Sequence, residues 1–275
     1  VAINTILAPI FIFMFDWGIR GAAIATVSAQ VIALLWQLKQ FNNANELLHF
    51  RRGIFRLKRK IVFDSLAIGM SPFLMNLAAC LIVILINQGL KKYGGDLAIG
   101  AFGIVNRLVF IVVMIVMGLN QGMQPIAGYN FGAKLYDRVN KVLKLTIIYA
   151  TCVTTFGFLV GMLAPNLVVG IFTSDAELTE LSATGLRITV MFFPIIGFQM
   201  VTSNFFQSIG MAGKAIFLSL TRQMLILLPC LLILPHFFGV AGVWYSMPVS
   251  DLLASLIALV MLVYQFRKFK TAAAH

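Results

Sequence analysis

Four ionisable side chains stand inside or at the edges of long apolar runs: Arg107, Arg187, Arg222 and Asp251. A charge among apolar residues is costly, and it is kept where a partner or a function requires it. Asp251, the one carboxylate of the four, follows Gly239 by 12 residues and so lies deep in its run. Two chemistries suit it: a structural ion pair with Arg222 or Arg107, or the binding and release of a proton. Arg187 and Arg222 stand close enough to run ends to extend their guanidinium groups towards water. Uncharged amides accompany them at Asn76, Asn87, Asn106, Asn120, Gln121, Gln199, Asn204 and Gln207. Such groups hydrogen-bond between helices or line a cavity. Asn76 and Gln199 stand out because each closely follows a proline, Pro72 or Pro194. Proline lacks the N–H donor and clashes with the preceding turn, so both positions are expected to bend a helix and to act in gating. Phe73 and Met75 flank the first proline, and Phe198 and Met200 follow the second. Thioethers and aromatic faces suit flat cations of varied shape. The expected substrate cavity is therefore lined by Phe73, Met75, Asn76, Phe198, Gln199 and Met200.

Other chemistries lack their residues. Cys80, Cys152 and Cys230 occur singly in apolar runs, without metal or redox spacing. His49, His236 and His275 are isolated, so no metal site is expected. Gly128, Asn130 and Gly132 do not form a Gly-x-x-x-x-Gly-Lys-Ser/Thr phosphate loop and read as a helix stop. No His-x-x-x-His, Gly-x-Ser-x-Gly or paired aspartates occur, so an enzyme is not expected. Nor is a cofactor, and without an ATPase motif any active transport must draw on an ion gradient. The half of the chain holding Asp251 has no second mid-run carboxylate, a poor oxygen set for a hard cation such as sodium.

These residues are positioned by long apolar segments. Of 275 residues 60% are hydrophobic and 11% charged, against about one quarter charged in a soluble domain. Eight segments are read, over 1–15, 21–41, 61–90, 97–123, 142–164, 183–211, 215–235 and 239–266. Most are long enough for a helix to cross ~30 Å of hydrocarbon. The fold class is an all-α integral membrane protein. Basic residues alternate between loops: Arg51, Arg52, Arg56, Lys58, Arg59 and Lys60 in one, Lys134, Arg138 and Lys141 in another, then Lys214, then Arg267, Lys268 and Lys270. The loops between carry few basic residues or are acidic, as with Asp175, Glu177 and Glu180. The positive-inside rule then places the basic loops and the C-terminus in the cytoplasm, in a plasma (inner) membrane. The net charge of +12 is thereby explained by topology and anionic lipid, not by nucleic acid. The stretch 42–60, basic with interspersed apolar residues, is expected to lie along the membrane face.

A short repeat links the two ends. Gly18-Ile19-Arg20-Gly21 and Gly239-Val240-Ala241-Gly242 match at an offset of 221, which also pairs Gln30 with Asp251. In each, a glycine turn joins two apolar segments. An even number of segments separates the matched pairs, so the repeat keeps its membrane orientation. The expected organisation is 1–41 as the end of a first lobe, 42–60 as a cytoplasmic linker, 61–266 as a complete six-helix lobe, and 267–275 as a tail.

The run Gln124-Pro125-Ile126-Ala127-Gly128-Tyr129-Asn130-Phe131-Gly132-Ala133 resembles the end of the eighth helix of multidrug and toxin extrusion (MATE) transporters. Asn4-Thr5-Ile6-Leu7-Ala8-Pro9, the Gly18–Thr26 stretch, Gln207-Ser208-Ile209-Gly210 and Gly239–Trp244 are similar to other helices of that family. The resemblance implies a twelve-helix exporter of two lobes, of which this chain holds the fifth helix onwards. It implies a monomer that expels cationic or amphipathic compounds in exchange for protons or sodium ions by alternating access. It makes Asn4, with Asp251, a cation-coupling candidate. Where this chain has Ala8 the family often has aspartate, one helical turn after Asn4, and the missing carboxylate puts coupling in the first lobe in doubt. The alternative is a lipid-linked oligosaccharide flippase of the same superfamily, which requires a strongly cationic cavity.

Overall fold

A computed structural model describes residues 2–43, 49 and 57–273, with the side chains of 64, 65, 67–69, 71, 72, 212 and 266–273 outside the description. All regular structure among the described residues is helical. The chain divides into two compact units, Val1–Leu66 and Ala67–His275.

In the first unit, α1 (Ala2–Pro9) passes into a π-helical turn, Ile10–Met14, and α2 follows as Gly18–Phe41. Most of the expected 42–60 linker, including Arg51, Arg52 and Arg56, lies outside the described residues.

The 74-residue helix α3 (Arg59–Gly132) would measure about 110 Å if straight, several times the ~30 Å of a hydrocarbon core. It is broken at Gly95, where φ 66° and ψ −161° lie in a region open to glycine alone. Ile82, Ile86 and Leu90 before the break share a buried cluster with Ala98, Phe102 and Val105 after it, so the two arms pack together. The rest of the unit is α4 (Tyr136–Leu163), α5 (Pro165–Val169), α6 (Ala176–Val190), α7 (Phe193–Ser208), α8 (Ala212–Leu220), a π segment Thr221–Leu227, α9 (Leu228–Phe238) and α10 (Val240–Ala273). Helices α6 and α7 form one bent span, at 55°. Among the described residues five helices are long and apolar enough to cross a membrane, or six with the bent pair taken as one span, α3 being counted once although Gly95 breaks it.

The helices outrun the apolar runs. The segment expected from 183 begins at 176, because the acidic stretch before it is helical: the Asp175 carboxylate accepts the Leu178 N–H at 3.1 Å and caps α6. Likewise α4 begins at Tyr136, six residues before the apolar run at 142, and carries Arg138 and Lys141 in its first turns. Hydropathy marks where apolar contact ends, whereas helical hydrogen bonding continues past it.

Polar residues share the buried face of α10 with apolar ones. On α10, Ser246, Ser250, Asp251, Ser255 and Gln265 are buried while Leu253, Leu256 and Val260 are exposed. That is the arrangement of a helix whose outer face meets lipid. A second cluster, around Val116, Leu143, Phe205, Phe206 and Leu262, fills the half of the unit away from the Gly95 turn.

The repeat has matching local geometry in both units. Gly18 and Gly239 both have positive φ, 51° and 57°. A Cβ on Gly21 would lie 2.5 Å from the Phe11 carbonyl oxygen, and one on Gly242 would lie 2.3 Å from that of Leu234. In each case a left-handed turn followed by a glycine lets the second helix press on the backbone of the first.

Candidate functional site

Between the two clusters of the second unit, at mid-length of its helices, lies a cavity of about 320 Å³. Its walls are largely apolar, including Phe102, Phe193, Met117, Met200 and Met247, with Asn106, Thr154, Thr189 and Ser250 among them. Its charged residues are Arg222 and Asp251. A second cleft, of about 190 Å³ and lined by Leu108, Val112, Phe156, Gly157 and Phe193, is apolar throughout. A third, holding Glu180 and Arg187, opens near the capped start of α6. Of the three, the first alone combines a largely apolar wall with convergent polar groups, as small-molecule sites do.

The charged pair is close. Arg222 Nε donates to Asp251 Oδ1 at 2.7 Å. The carboxylate is the deeper member: its side chain is 5% exposed, that of Arg222 33%. Arg222 sits in the π segment Thr221–Leu227, directly before α9 with Pro229 in its first turn. Pro229 lacks the N–H and crowds the turn before it, and a widened turn absorbs that loss. The hydroxyls around the pair are committed locally: Ser250 donates to the Met247 carbonyl at 2.7 Å, Thr189 to Gly185 at 2.8 Å and Thr154 to Ala150 at 3.0 Å. With their protons so engaged, they can offer only lone pairs to the cavity.

Of the residues expected to line a substrate site, the cavity includes Met200, together with the coupling candidate Asp251. Phe73 and Asn76 are exposed and Met75 is half-buried on the first arm of α3. Gln199 is buried, and Phe198 packs against the second cluster. Backbone dihedrals through Pro72 are helical, the break in α3 being at Gly95. Pro194 stands in the first turn of α7, immediately after the 55° bend. Asn4, one turn before Ala8 on α1, has its Oδ1 buried without a hydrogen-bond partner among the described residues. Arg107 and Arg187 are exposed and lie off the cavity. Of the two possible partners for Asp251, the structure selects Arg222. Thr154 and Thr189 escape sequence reasoning, because a lone threonine in an apolar helix carries no distinguishing pattern.

Long apolar helices with polar groups turned inwards around a largely apolar cavity are the architecture of a multi-pass membrane protein. A family model described as MatE matches residues 67–233, and the chain belongs to the MatE family. The multidrug export protein MepA of Staphylococcus aureus (strain MSSA476) is 29% identical over 271 residues, which cover 97% of this chain and 58% of that protein. The chain thus spans a little over half the length of the curated relatives it matches. A ligand-bound structure of the MATE multidrug transporter DinF-BH is 35% identical, with a TM-score of 0.83 over 98% of this chain and 60% of that one. An outward-facing multidrug resistance MATE transporter of the MOP superfamily shares the fold, with a TM-score of 0.85 and 22% identity over 98% of this chain and 61% of that one.

Proposed function

We propose that this chain forms the larger part of a secondary active exporter that exchanges protons or sodium ions for cationic or amphipathic compounds by alternating access. The observation that carries the reading is the mid-length cavity with a buried carboxylate inside a MatE-family bundle. Its methionine and phenylalanine walls can repack around ligands of different shape. Asp251 is the group placed to exchange a coupling ion, and an ion that reaches it must displace Arg222. The bend at α6–α7, whose residues Thr189, Phe193 and Met200 line the cavity, is the element suited to change shape as access alternates. The basic loops and C-terminus face the cytoplasm, anionic lipid neutralises them, and the protein acts as a monomer. The names of the relatives favour drug export over oligosaccharide flipping.

The test is ethidium accumulation in cells stripped of their own exporters and producing the complete protein. The expected result is lowered accumulation that a protonophore or a sodium ionophore abolishes. Accumulation equal to that of cells without the protein would contradict the reading.

A further inference from the structure

What a ligand meets on entering the cavity is the arginine and not the aspartate. The Arg222 side chain is 33% exposed and that of Asp251 5%. The pair is joined through Nε, on the flank of the guanidinium, and Oδ1, which leaves both Nη groups, four N–H donors, without a protein acceptor among the described residues. Guanidinium is a planar fork that matches a carboxylate through two parallel hydrogen bonds. Around it, the committed hydroxyls of Thr154, Thr189 and Ser250 add no competing donors. Phe102, Phe193, Met117, Met200 and Met247 offer an adaptable apolar wall for a ring system.

We propose that this cavity binds amphipathic organic carboxylates, with the acid group on the Nη face of Arg222 and the apolar body among the methionines and phenylalanines. Asp251 acts as a competing internal counter-ion: it positions the guanidinium and lowers its attraction for a second carboxylate. The proposal rests on the export reading for its physiological meaning, but the binding it specifies requires no gradient.

The experiment is calorimetric titration of the complete protein in lipid nanodiscs with three probes of one shape: 1-naphthylacetate, the neutral 1-naphthylacetamide and the cationic 1-naphthylmethylammonium. The acetate is expected to bind about ten-fold more tightly than the amide. Arg222→Gln should abolish that preference. Because this variant strands a buried carboxylate, the double variant Arg222→Gln/Asp251→Asn, which leaves neither charge, is measured beside it and should lose the preference too. Asp251→Asn alone should tighten acetate binding about five-fold, an effect no purely structural ion pair produces. Equal binding of acetate and amide by the unaltered protein, or tightest binding of the ammonium probe with its loss in Asp251→Asn, overturns the proposal. A carboxylate preference set by Arg222 in a protein without efflux would leave this site standing and remove the export reading. Efflux without the preference would do the reverse.

Discussion

At the scale of single residues, Arg222 and Asp251 set the charge of the cavity. The carboxylate is buried at 4% exposure, and Arg222 supplies its side-chain partner. Removing one member of such a pair costs more than removing both. Arg222→Ala is expected to destabilise the protein by roughly 3 kcal/mol, the half-open position of Arg222 keeping the loss at the low end for a buried pair. Arg222→Met combined with Asp251→Leu should recover most of that loss. Thermal unfolding in detergent measures both, and equal destabilisation by the single and double variants would show that the pair contributes no coupling. Asp251 and Arg222 are legible in the sequence because a charge deep in an apolar run needs a reason. Which arginine answers the aspartate is not, since Arg107 and Arg222 are equivalent until the helices are packed. The aromatic and amide residues near Pro72 and Pro194 stand out in the sequence only by proximity to a proline. That proximity brings Met200 to the cavity lining but leaves Asn76 on an exposed face, because only one side of each helix turns inwards.

At the scale of elements, glycine and proline set the geometry. In the repeat, Gly242 presses on the Leu234 carbonyl at a distance no Cβ tolerates. Gly242→Ala is therefore expected to destabilise by about 1–3 kcal/mol through overpacking, and Gly21→Ala by a similar amount in the first unit. Either variant remaining as stable as the parent would remove the repeat's physical basis. Pro194 stands at the 55° bend, and the reading of that bend as a moving part predicts that Pro194→Ala slows efflux several-fold with little change in melting temperature. Equal losses of both would make the bend a static support. The order of apolar segments is readable from hydropathy, and the two glycine turns from their matching sequence. The π segments are not: Pro9 and Pro229 each sit in an ordinary apolar run, and whether a helix kinks, ends or widens at proline is decided by its neighbours.

At the scale of the whole molecule, the alternation of basic and acidic loops predicts orientation. With Cys80, Cys152 and Cys230 replaced, Asp137→Cys is expected to react with a membrane-impermeant maleimide only after cells are opened, and Glu177→Cys in intact cells. The opposite pattern would invert the topology. An ion gradient is expected to drive the export of organic compounds through this protein. Reconstitution of the complete protein in proteoliposomes, with ethidium efflux followed under an imposed proton gradient and then a sodium gradient, tests it most directly. Efflux is expected under one of the two gradients, with a loss of at least most of the rate in Asp251→Asn and a gain in Ala8→Asp if the first lobe shares in coupling. Absence of efflux under both gradients, with Ala8→Asp as well, would contradict gradient-driven export.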